Sequence, residues 1–474
     1  MRRKMTRREV LVLTGAAGAQ AVMPSALAAQ GLASRRPTAG ERKFRSSVVE
    51  RYIAETKRQI GDAELAWLFE NCFPNTLDTT VEPGTFEGKP DTAVITGDIA
   101  AMWLRDSSAQ VWPYLPLAKG DEPLRALLEG VIRRQARNIL IDPYANAFMA
   151  DLNAASTLPW SVKDKTEMKP GVGERKWEVD SLCYPMRLSY GYWKQTGDVQ
   201  PFDARWQRAM TLAVQTFRVQ QRKDGPEPYS FQRMSDVSTE TLPAAGFGNP
   251  IKPVGLIASG FRPSDDACIF PFLVPSNLFA VTSLRQMAEM ANAILHDAAL
   301  ANEATALADE VARALAQYAI AKTDQGEIWA YEVDGYGSQL LMDDTNVPSL
   351  LSLPYLDASL NTPLYQRTRA FVWSEHNPWF FRGNAGEGVG GPHVGKDMIW
   401  PMSQMVYALT SNSDTEIRHS LMLLKVSAAG TGFMHESYFK DNPAKFTRSW
   451  FAWANTLFGE LAGRLAATKP ELLR

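Results

Sequence analysis

The sequence predicts an all-α fold in which pairs of helices form a closed ring with a binding site at one mouth. Apolar residues recur at helical spacing along most of the 474-residue chain, and few stretches alternate like strands. Long polar segments rich in Gly, Pro and Trp separate the helices. Solenoid repeats usually have short loops and a readable period. Because this chain has neither, a closed ring is favoured over an open solenoid.

The helical stretches follow one another from the first quarter of the chain to its end, each with apolar positions on one side. They cover residues 48–73, 124–139, 184–193, 202–217, 278–295, 304–320, 402–409, 417–429 and 450–465. The polar segments between them cover residues 71–103, 142–177, 223–274, 325–354 and 373–400. Loops of this length are uncommon in a compact domain unless they build a binding site.

Residues 1–28 have the pattern of an export signal. A basic start is followed by an apolar run from Val10 to Val22 and by the small-x-small cleavage site at 26–28. The arginine pair at 7–8 also resembles a twin-arginine signal. The apolar run is shorter than the ~20 residues of a membrane span, so we expect cleavage and a periplasmic or secreted protein with no membrane attachment. A linker over residues 29–42 and a single domain over residues 43–474 are predicted to follow.

The composition excludes some classes of partner. Lys and Arg total 50 and Asp and Glu total 52, so the chain lacks the positive balance of a nucleic-acid binder. A near-neutral substrate is easier to accommodate. The cysteines Cys72, Cys183 and Cys268 are far apart, with no spacing typical of a metal site. We expect three buried thiols.

The first segment with chemical character spans residues 96–112. Its centre is too polar for a plain core helix, and it places Arg105, Asp106 and Gln110 among aromatic residues. Such a cluster suits a hexose, whose hydroxyls donate and accept hydrogen bonds while its C–H faces lie on aromatic rings. The alternative is a charged Arg105–Asp106 pair at the start of a helix.

The second segment, residues 259–268, contains Asp265 and Asp266 beside Arg262. A carboxyl in such a loop can lie in a pocket that raises its pKa enough for it to donate a proton. Adjacent acids are also common as helix caps, and that alternative stays open.

The third segment, residues 432–438, places Glu436 between His435 and Ser437 among bulky apolar neighbours. Hydrolysis of a glycosidic bond usually needs two carboxyls, one as acid and one as nucleophile or base. Glu436 with Asp265 or Asp266 would supply that pair. On chemical grounds alone other acids could serve, namely Asp98, Asp106, Glu178, Asp180, Asp343, Asp344, Glu387 and Asp397.

Taken together, these segments resemble glycoside hydrolase family 125. The motifs that carry the resemblance are Thr-Gly-Asp-Ile-x-Ala-Met-Trp-Leu-Arg-Asp-Ser (96–107), Glu-Arg-Lys-Trp-Glu-Val-Asp-Ser (174–181), Gly-Phe-Arg-Pro-Ser-Asp-Asp (260–266), Gly-Gly-Pro-His (390–393), Met-Ile-Trp-Pro-Met (398–402) and His-Glu-Ser (435–437). The similarity runs from about Asn71 to Asn455. It implies an (α/α)6 barrel and a metal-independent exo-α-mannosidase, without cofactor, that removes terminal α-1,6-linked mannose with inversion.

The resemblance also implies roles for particular residues. The general acid lies in the Ser-Asp-Asp segment, where Asp265 is favoured over Asp266, and the general base is Glu436. The candidates for binding the terminal mannose are Asp98, Arg105 and Asp106. Further candidates for substrate contact are Trp103, Arg262, His393, His435 and Trp453. The expected partner is an α-mannoside oligosaccharide from N-glycans or mannan.

Three other functions are weighed against this interpretation. A sugar epimerase could use the same barrel, although such enzymes often rely on His pairs and this chain has five His. A non-catalytic mannoside-binding protein would use the same aromatic and carboxylate clusters. A metal site at residues 342–346 would need oxygen ligands, but that segment lacks the spacing of a calcium loop.

Overall fold

The computed structural model describes residues 32–225, 229–358 and 362–474, and the predicted export signal at residues 1–28 lies outside them. The α-helices are α1 (Ser47–Gln59), α2 (Ala63–Cys72), α3 (Asn75–Thr79), α4 (Leu104–Val111), α5 (Glu122–Ile141), α6 (Val179–Thr196), α7 (Ala204–Gln220), α8 (Val274–Met290), α9 (Ala298–Tyr318), α10 (Pro363–Val372), α11 (Pro401–Leu409), α12 (Asp414–Ser427) and α13 (Ala452–Thr468). Together they form an (α/α)6 barrel, as the sequence predicts.

The inner ring of the barrel consists of α4, α6, α8, α11 and α13, together with the buried segment 347–357. The first turns of these five helices are buried on every side, as expected for helices surrounded by other elements. Segment 347–357 bonds to α8 through Thr282 and to α13 through the Tyr355 hydroxyl. Helix α13 packs back against α4. The first and last inner helices therefore close the ring.

The outer helices begin with side-chain caps, whereas the inner helices do not. The residues that cap the outer helices are Ser46, Asp62, Asp121, Asp203, Asp297, Thr362 and Ser413. The residues before the inner helices are Trp103, Glu178, Leu273, Trp400 and Phe451, and no side chain of these five accepts a capping hydrogen bond. The positive ends of the inner-helix dipoles therefore meet at one mouth, where they favour carboxylates and oxygen-rich ligands.

Short strands lie in the loops at this mouth and elsewhere. They are β1 (Val81–Phe86), β2 (Lys89–Val94), β3 (Met102–Trp103), β4 (Ala147–Phe148), β5 (Val172–Glu174), β6 (Phe272–Leu273), β7 (Ile320–Thr323), β8 (Gly326–Trp329), β9 (Glu332–Val333), β10 (Gln339–Leu340), β11 (Phe380–Arg382), β12 (Glu387–Val389), β13 (Met398–Ile399), β14 (Ser437–Phe439) and β15 (Asn442–Thr447). Within the described ranges these strands pair antiparallel, as in β3–β4–β5 and β13–β14–β15. Such strands are too short for alternation to be visible in the sequence.

The structure corrects several predicted boundaries. The stripe predicted over residues 48–73 divides at Asp62, whose side chain caps α2. The stripe predicted to begin at residue 278 begins at Val274. Helices α4 and α10 were not predicted, because the buried residues of α4 are mostly polar and give no apolar period. The three cysteines are free and buried, as predicted.

The described part of the predicted linker is bonded to the barrel. The carbonyl of Ala33 accepts a hydrogen bond from Trp67 Nε1 at 2.7 Å, and Arg36 Nε donates to Asp78 Oδ2 at 2.7 Å. The packed unit therefore begins by residue 33, ahead of the predicted domain start at residue 43. Among the described residues, no helix has the length and apolar character needed to span a membrane.

Candidate active site

Arg105 is the centre of a buried cluster of carboxylates in the first turn of α4. Its Nη1 lies 2.5 Å from Glu178 Oε2 and 3.1 Å from Asp180 Oδ2, and its Nε lies 3.6 Å from Asp106 Oδ2. Thr96 Oγ1 donates to Asp106 Oδ1 at 2.6 Å. Burial alone would lower the pKa of Arg105, but the carboxylates outweigh that effect and hold it well above its ordinary value. The Arg105–Asp106 pair therefore lies inside the mouth, away from the surface.

Asp265 is held in a left-handed backbone conformation, with φ of 70°. Its N–H donates to the Arg262 carbonyl at 2.8 Å, and its own carbonyl accepts from Lys176 Nζ at 2.7 Å. Its carboxylate accepts from Asn146 Nδ2 at 3.1 Å. A left-handed conformation is uncommon outside glycine and often marks a functional position. These contacts determine where the Asp265 carboxyl points.

Asp266 lies deeper than its neighbour and is 1% exposed, compared with 6% for Asp265. Burial raises the pKa of Asp266 to about 7, although the nearby Arg262 guanidinium acts in the opposite direction. His393 Nδ1 lies 3.9 Å from Asp266 Oδ1. Asp266 therefore holds a proton well above the ordinary titration range of a carboxyl.

Glu436 directly precedes β14 and is 4% exposed. Thr447 Oγ1 donates to Glu436 Oε2 at 3.0 Å, and Arg448 Nη1 lies 3.5 Å from Glu436 Oε1. The same guanidinium donates to Asp98 Oδ1 through Nη2 at 2.5 Å and through Nε at 2.8 Å. Arg448 therefore joins the two candidate carboxylates Glu436 and Asp98.

A continuous set of polar contacts connects the two predicted catalytic segments. It runs from Asp265 through Asn146, Glu178, Arg105, Asp106, Thr96 and Arg448 to Glu436. The two longest hydrogen bonds in this set, both 3.5 Å, run from Arg448 Nη2 to the Thr96 carbonyl and from Arg448 Nη1 to Glu436 Oε1. Both segments therefore belong to one polar assembly at the mouth of the inner-helix N-termini.

The two predicted aromatic contacts have largely apolar surroundings. Trp103 lies on β3 and is 1% exposed, in a small cluster with Ile99 and Trp160. Trp453, in the first turn of α13, packs edge-on against Tyr184 with ring centroids 6.1 Å apart. Both residues are buried in the packing, and their contact with a sugar stays a prediction.

The other predicted contacts differ in their partners. Arg262 donates through Nε to Glu332 Oε1 at 2.6 Å and is buried. His393 stacks on Trp400 with centroids 6.1 Å apart and faces Asp266. His435 stacks on Phe446 at 3.6 Å; burial lowers the pKa of His435 to about 4, so its ring is neutral. Of these residues, Arg262 and His393 lie near the candidate acid Asp266.

Sequence reasoning missed three residues of the assembly, namely Asn146, Lys176 and Arg448. Asn146 stands alone in a long loop, where a single amide gives no pattern, and Lys176 lies in the 174–181 motif but was given no role there. Arg448 follows β15 and returns to Glu436, 12 residues before it in the chain. For Arg448, the available sequence signal is a cationic residue close to aromatic residues in the segment that follows the His-Glu-Ser motif.

The segment 342–346, considered above as a metal site, packs as a polar loop. Asp343 accepts from the backbone N–H of Leu351 at 3.0 Å, and burial raises its pKa to about 8, with Asp344 adding to the effect. Asp344 Oδ2 accepts from Ser264 Oγ at 2.8 Å, which ties it to the Asp265 loop. Across the described ranges, no group of three or more His, Cys, Asp or Glu is arranged to hold a metal ion.

Comparison with known proteins identifies close relatives. The model of the family described as metal-independent α-mannosidase (GH125) matches residues 62–462. The meiotically up-regulated gene 157 protein of Schizosaccharomyces pombe is 43% identical over 457 residues, which cover 93% of this chain and 90% of the relative.

Solved structures give a matching result. A metal-independent α-mannosidase from Streptococcus pneumoniae, in a non-productive complex with α-1,6-mannobiose, superposes with a TM-score of 0.86 at 38% identity. The match covers 90% of this chain and 100% of that one. The glucoamylase of Saccharomycopsis fibuligera shares the fold alone, with a TM-score of 0.52 at 12% identity over 92% of this chain and 99% of that one.

Proposed function

This chain belongs to glycoside hydrolase family 125, the metal-independent α-mannosidases, and we propose that it removes terminal α-1,6-linked mannose from oligosaccharides by a single-step inverting reaction. The observation that carries the mechanism is the polar assembly joining the Asp265 segment to Glu436 at one mouth of the barrel. Two carboxyls held at one site are the minimum for glycoside hydrolysis.

In the proposed reaction Asp265 is the general acid. Its proton goes to the bridging oxygen while the bond between that oxygen and C1 of mannose breaks. One backbone feature and two contacts support this choice over Asp266: the left-handed conformation of Asp265, the Lys176 contact to its carbonyl and the Asn146 contact to its carboxylate. A residue aimed in this way is suited to reach a substrate. Asp266, with its pKa near 7, is the alternative donor.

Glu436 is the proposed general base. Its carboxylate takes a proton from a water molecule, whose oxygen forms the new bond to C1 on the face opposite the leaving group. Thr447 and Arg448 both contact this carboxylate, which supports a fixed orientation. Inversion requires the two carboxyls to stand roughly 6.5 to 9.5 Å apart so that the water fits between them.

The mannose itself is proposed to lie among Asp98, Arg105 and Asp106. Their carboxylate and guanidinium groups can accept and donate hydrogen bonds to sugar hydroxyls. The α-1,6 linkage is proposed because the pneumococcal relative was solved with α-1,6-mannobiose. N-glycans and mannan fragments contain such linkages, and we propose them as natural substrates.

We also propose that the chain is exported and loses residues 1–28. The basic start, the apolar run and the Ala-Leu-Ala site support this. N-terminal sequencing of protein recovered from the periplasm or the medium would begin near residue 29 if the proposal holds. An intact leader on cytosolic protein would contradict it.

The decisive experiment incubates the mature protein with α-1,6-mannobiose in EDTA and follows the released mannose by NMR. We expect β-mannose as the first product, because inversion converts the α linkage to a β anomer, and we expect no release by Glu436→Gln. First release of α-mannose would overturn the inverting mechanism. Binding without release by the wild-type protein would instead favour a mannoside-binding protein.

A further inference from the structure

A second pocket, here called the flanking pocket, lies beside the loops that carry Glu436 and Arg448. It measures about 240 Å³, and its lining includes Asn71, Asn75, Phe433, Ser449 and Trp450. Ser449 directly follows Arg448 in the chain. The carbonyl of Trp450 accepts the backbone N–H of Asp98 at 3.2 Å. The flanking pocket and the candidate mannose site therefore share a wall.

Three buried polar atoms of the lining have no hydrogen-bond partner within the described part of the chain. They are Asn71 Nδ2, Trp450 Nε1 and Asn75 Oδ1. Asn71 is 1% exposed and Asn75 is 5% exposed. A buried donor or acceptor without a partner is destabilising. The residues around this pocket therefore contribute two donors and one acceptor that lack a hydrogen-bond partner in the described structure. They point to a ligand that can both accept and donate hydrogen bonds.

The charges beside these atoms are already paired. Arg36 bonds to Asp78 at 2.7 Å and to Glu50 at 2.6 Å, and Arg42 bonds to Glu50 at 2.9 Å. The exposed Arg35 uses its backbone N–H to bond Asn71 Oδ1 at 2.8 Å. These two cations and two anions pair with one another, and Arg35 adds a guanidinium at the exposed rim of the pocket.

We propose that the flanking pocket binds the third sugar residue of a neutral oligosaccharide whose terminal mannose and its neighbour occupy the catalytic mouth. A pyranose presents hydroxyls that donate and accept and C–H faces that lie on rings such as Phe433 and Trp450. The choice of a sugar rests on the proposed function. The polar atoms without a partner and the pairing of Arg36 with Asp78 rest on the structure alone.

The test measures binding by calorimetry on the Glu436→Gln protein, which we expect not to cleave its ligand. The ligands are α-1,6-mannobiose and α-1,6-mannotriose. Two variants block the pocket: Ser449→Trp fills its rim from an exposed position, and Asn75→Leu removes the open acceptor at similar volume. Asn412→Trp, at an exposed loop position on a different surface, is the matched control.

We expect mannotriose to bind roughly tenfold more tightly than mannobiose, the change that one or two added hydrogen bonds give. Ser449→Trp and Asn75→Leu should remove that gain and leave mannobiose binding unchanged, whereas Asn412→Trp should keep it. Equal affinity for the two ligands, or a gain that persists in Ser449→Trp, would mean that the pocket holds water only and would overturn the proposal.

Turnover by the wild-type protein is scored separately. Turnover without the gain overturns the flanking pocket alone, and the gain without turnover overturns the proposed hydrolysis alone.

Discussion

Arg448 donates two hydrogen bonds to a single oxygen of Asp98, through Nε at 2.8 Å and Nη2 at 2.5 Å. The two residues are 350 positions apart in the chain. Arg448 is 2% exposed and has φ of 43°, so its position is determined by tertiary contacts. Through its remaining nitrogen it also reaches Glu436. The Arg448 side chain therefore orients both Asp98, which is proposed to bind the mannose, and Glu436, the proposed base.

Replacing Arg448 by Lys should lower kcat/KM about 10- to 100-fold. Lys keeps the charge but lacks the planar fork that bonds Asp98 and reaches Glu436, and a hydrogen bond to a charged group contributes about 1.5–3 kcal/mol. The measurement is steady-state hydrolysis of α-1,6-mannobiose. Arg418→Lys, at an exposed position on α12, is the control. Activity within threefold of the wild type would contradict the role of the fork.

The leaving-group dependence of the reaction should identify the general acid. A phenolate leaving group of low pKa needs no proton, so the variant lacking the acid should recover most of its rate on 2,4-dinitrophenyl α-mannoside while remaining slow on mannobiose. We expect Asp265→Asn to behave in this way. If Asp266→Asn shows the recovery instead, the acid is Asp266 and its raised pKa has a catalytic use.

The buried carboxyl of Asp266 should make stability depend on pH. Its pKa is 3.8 in the unfolded chain and about 7 in the folded protein, with burial as the main cause. Between these values the folded protein keeps a proton that the unfolded chain releases. This contribution is therefore complete below pH ~4 and is lost as pH rises towards ~7, by ~4 kcal/mol in total.

Asp266→Asn cannot ionise and should lose that dependence. Urea denaturation at pH 4.5 and pH 8 measures it as the difference in the free energy of unfolding between the two conditions. The difference should be smaller in Asp266→Asn than in the wild type, and unchanged in the exposed control Asp236→Asn. Equal differences in all three proteins would show that Asp266 is ionised in the folded state.

Gly97→Ala should destabilise the protein and reduce activity together. Gly97 has φ of 121°, and an added Cβ would lie 2.4 Å from the Trp450 carbonyl oxygen. That overlap forces apart the segments that bring Asp98 to Arg448. We expect a loss of at least ~2 kcal/mol in the free energy of unfolding. Gly88→Ala, with φ of 74° and open space around its Cβ, separates backbone strain from the clash.

The sequence alone predicted the ring of helix pairs because apolar residues recur at helical spacing in outer and inner helices alike. Helix α4 was not predicted, because the buried polar residues Arg105, Asp106 and Gln110 interrupt its apolar period. The candidate carboxyls could be named from motifs. Asn146 and Arg448 could not, because their importance lies in contacts across 119 and 350 residues that no local pattern records.

The closure of α13 on α4 has a consequence for synthesis of the protein. During translation, the Arg105 cluster and the Asp265 loop leave the ribosome long before Glu436 and Arg448. A nascent chain can therefore hold the proposed acid without the proposed base, and it cannot cleave a glycan until its last inner helix docks. A premature stop codon ahead of Ala452 would remove that closing helix, so activity also reports that synthesis continued through α13.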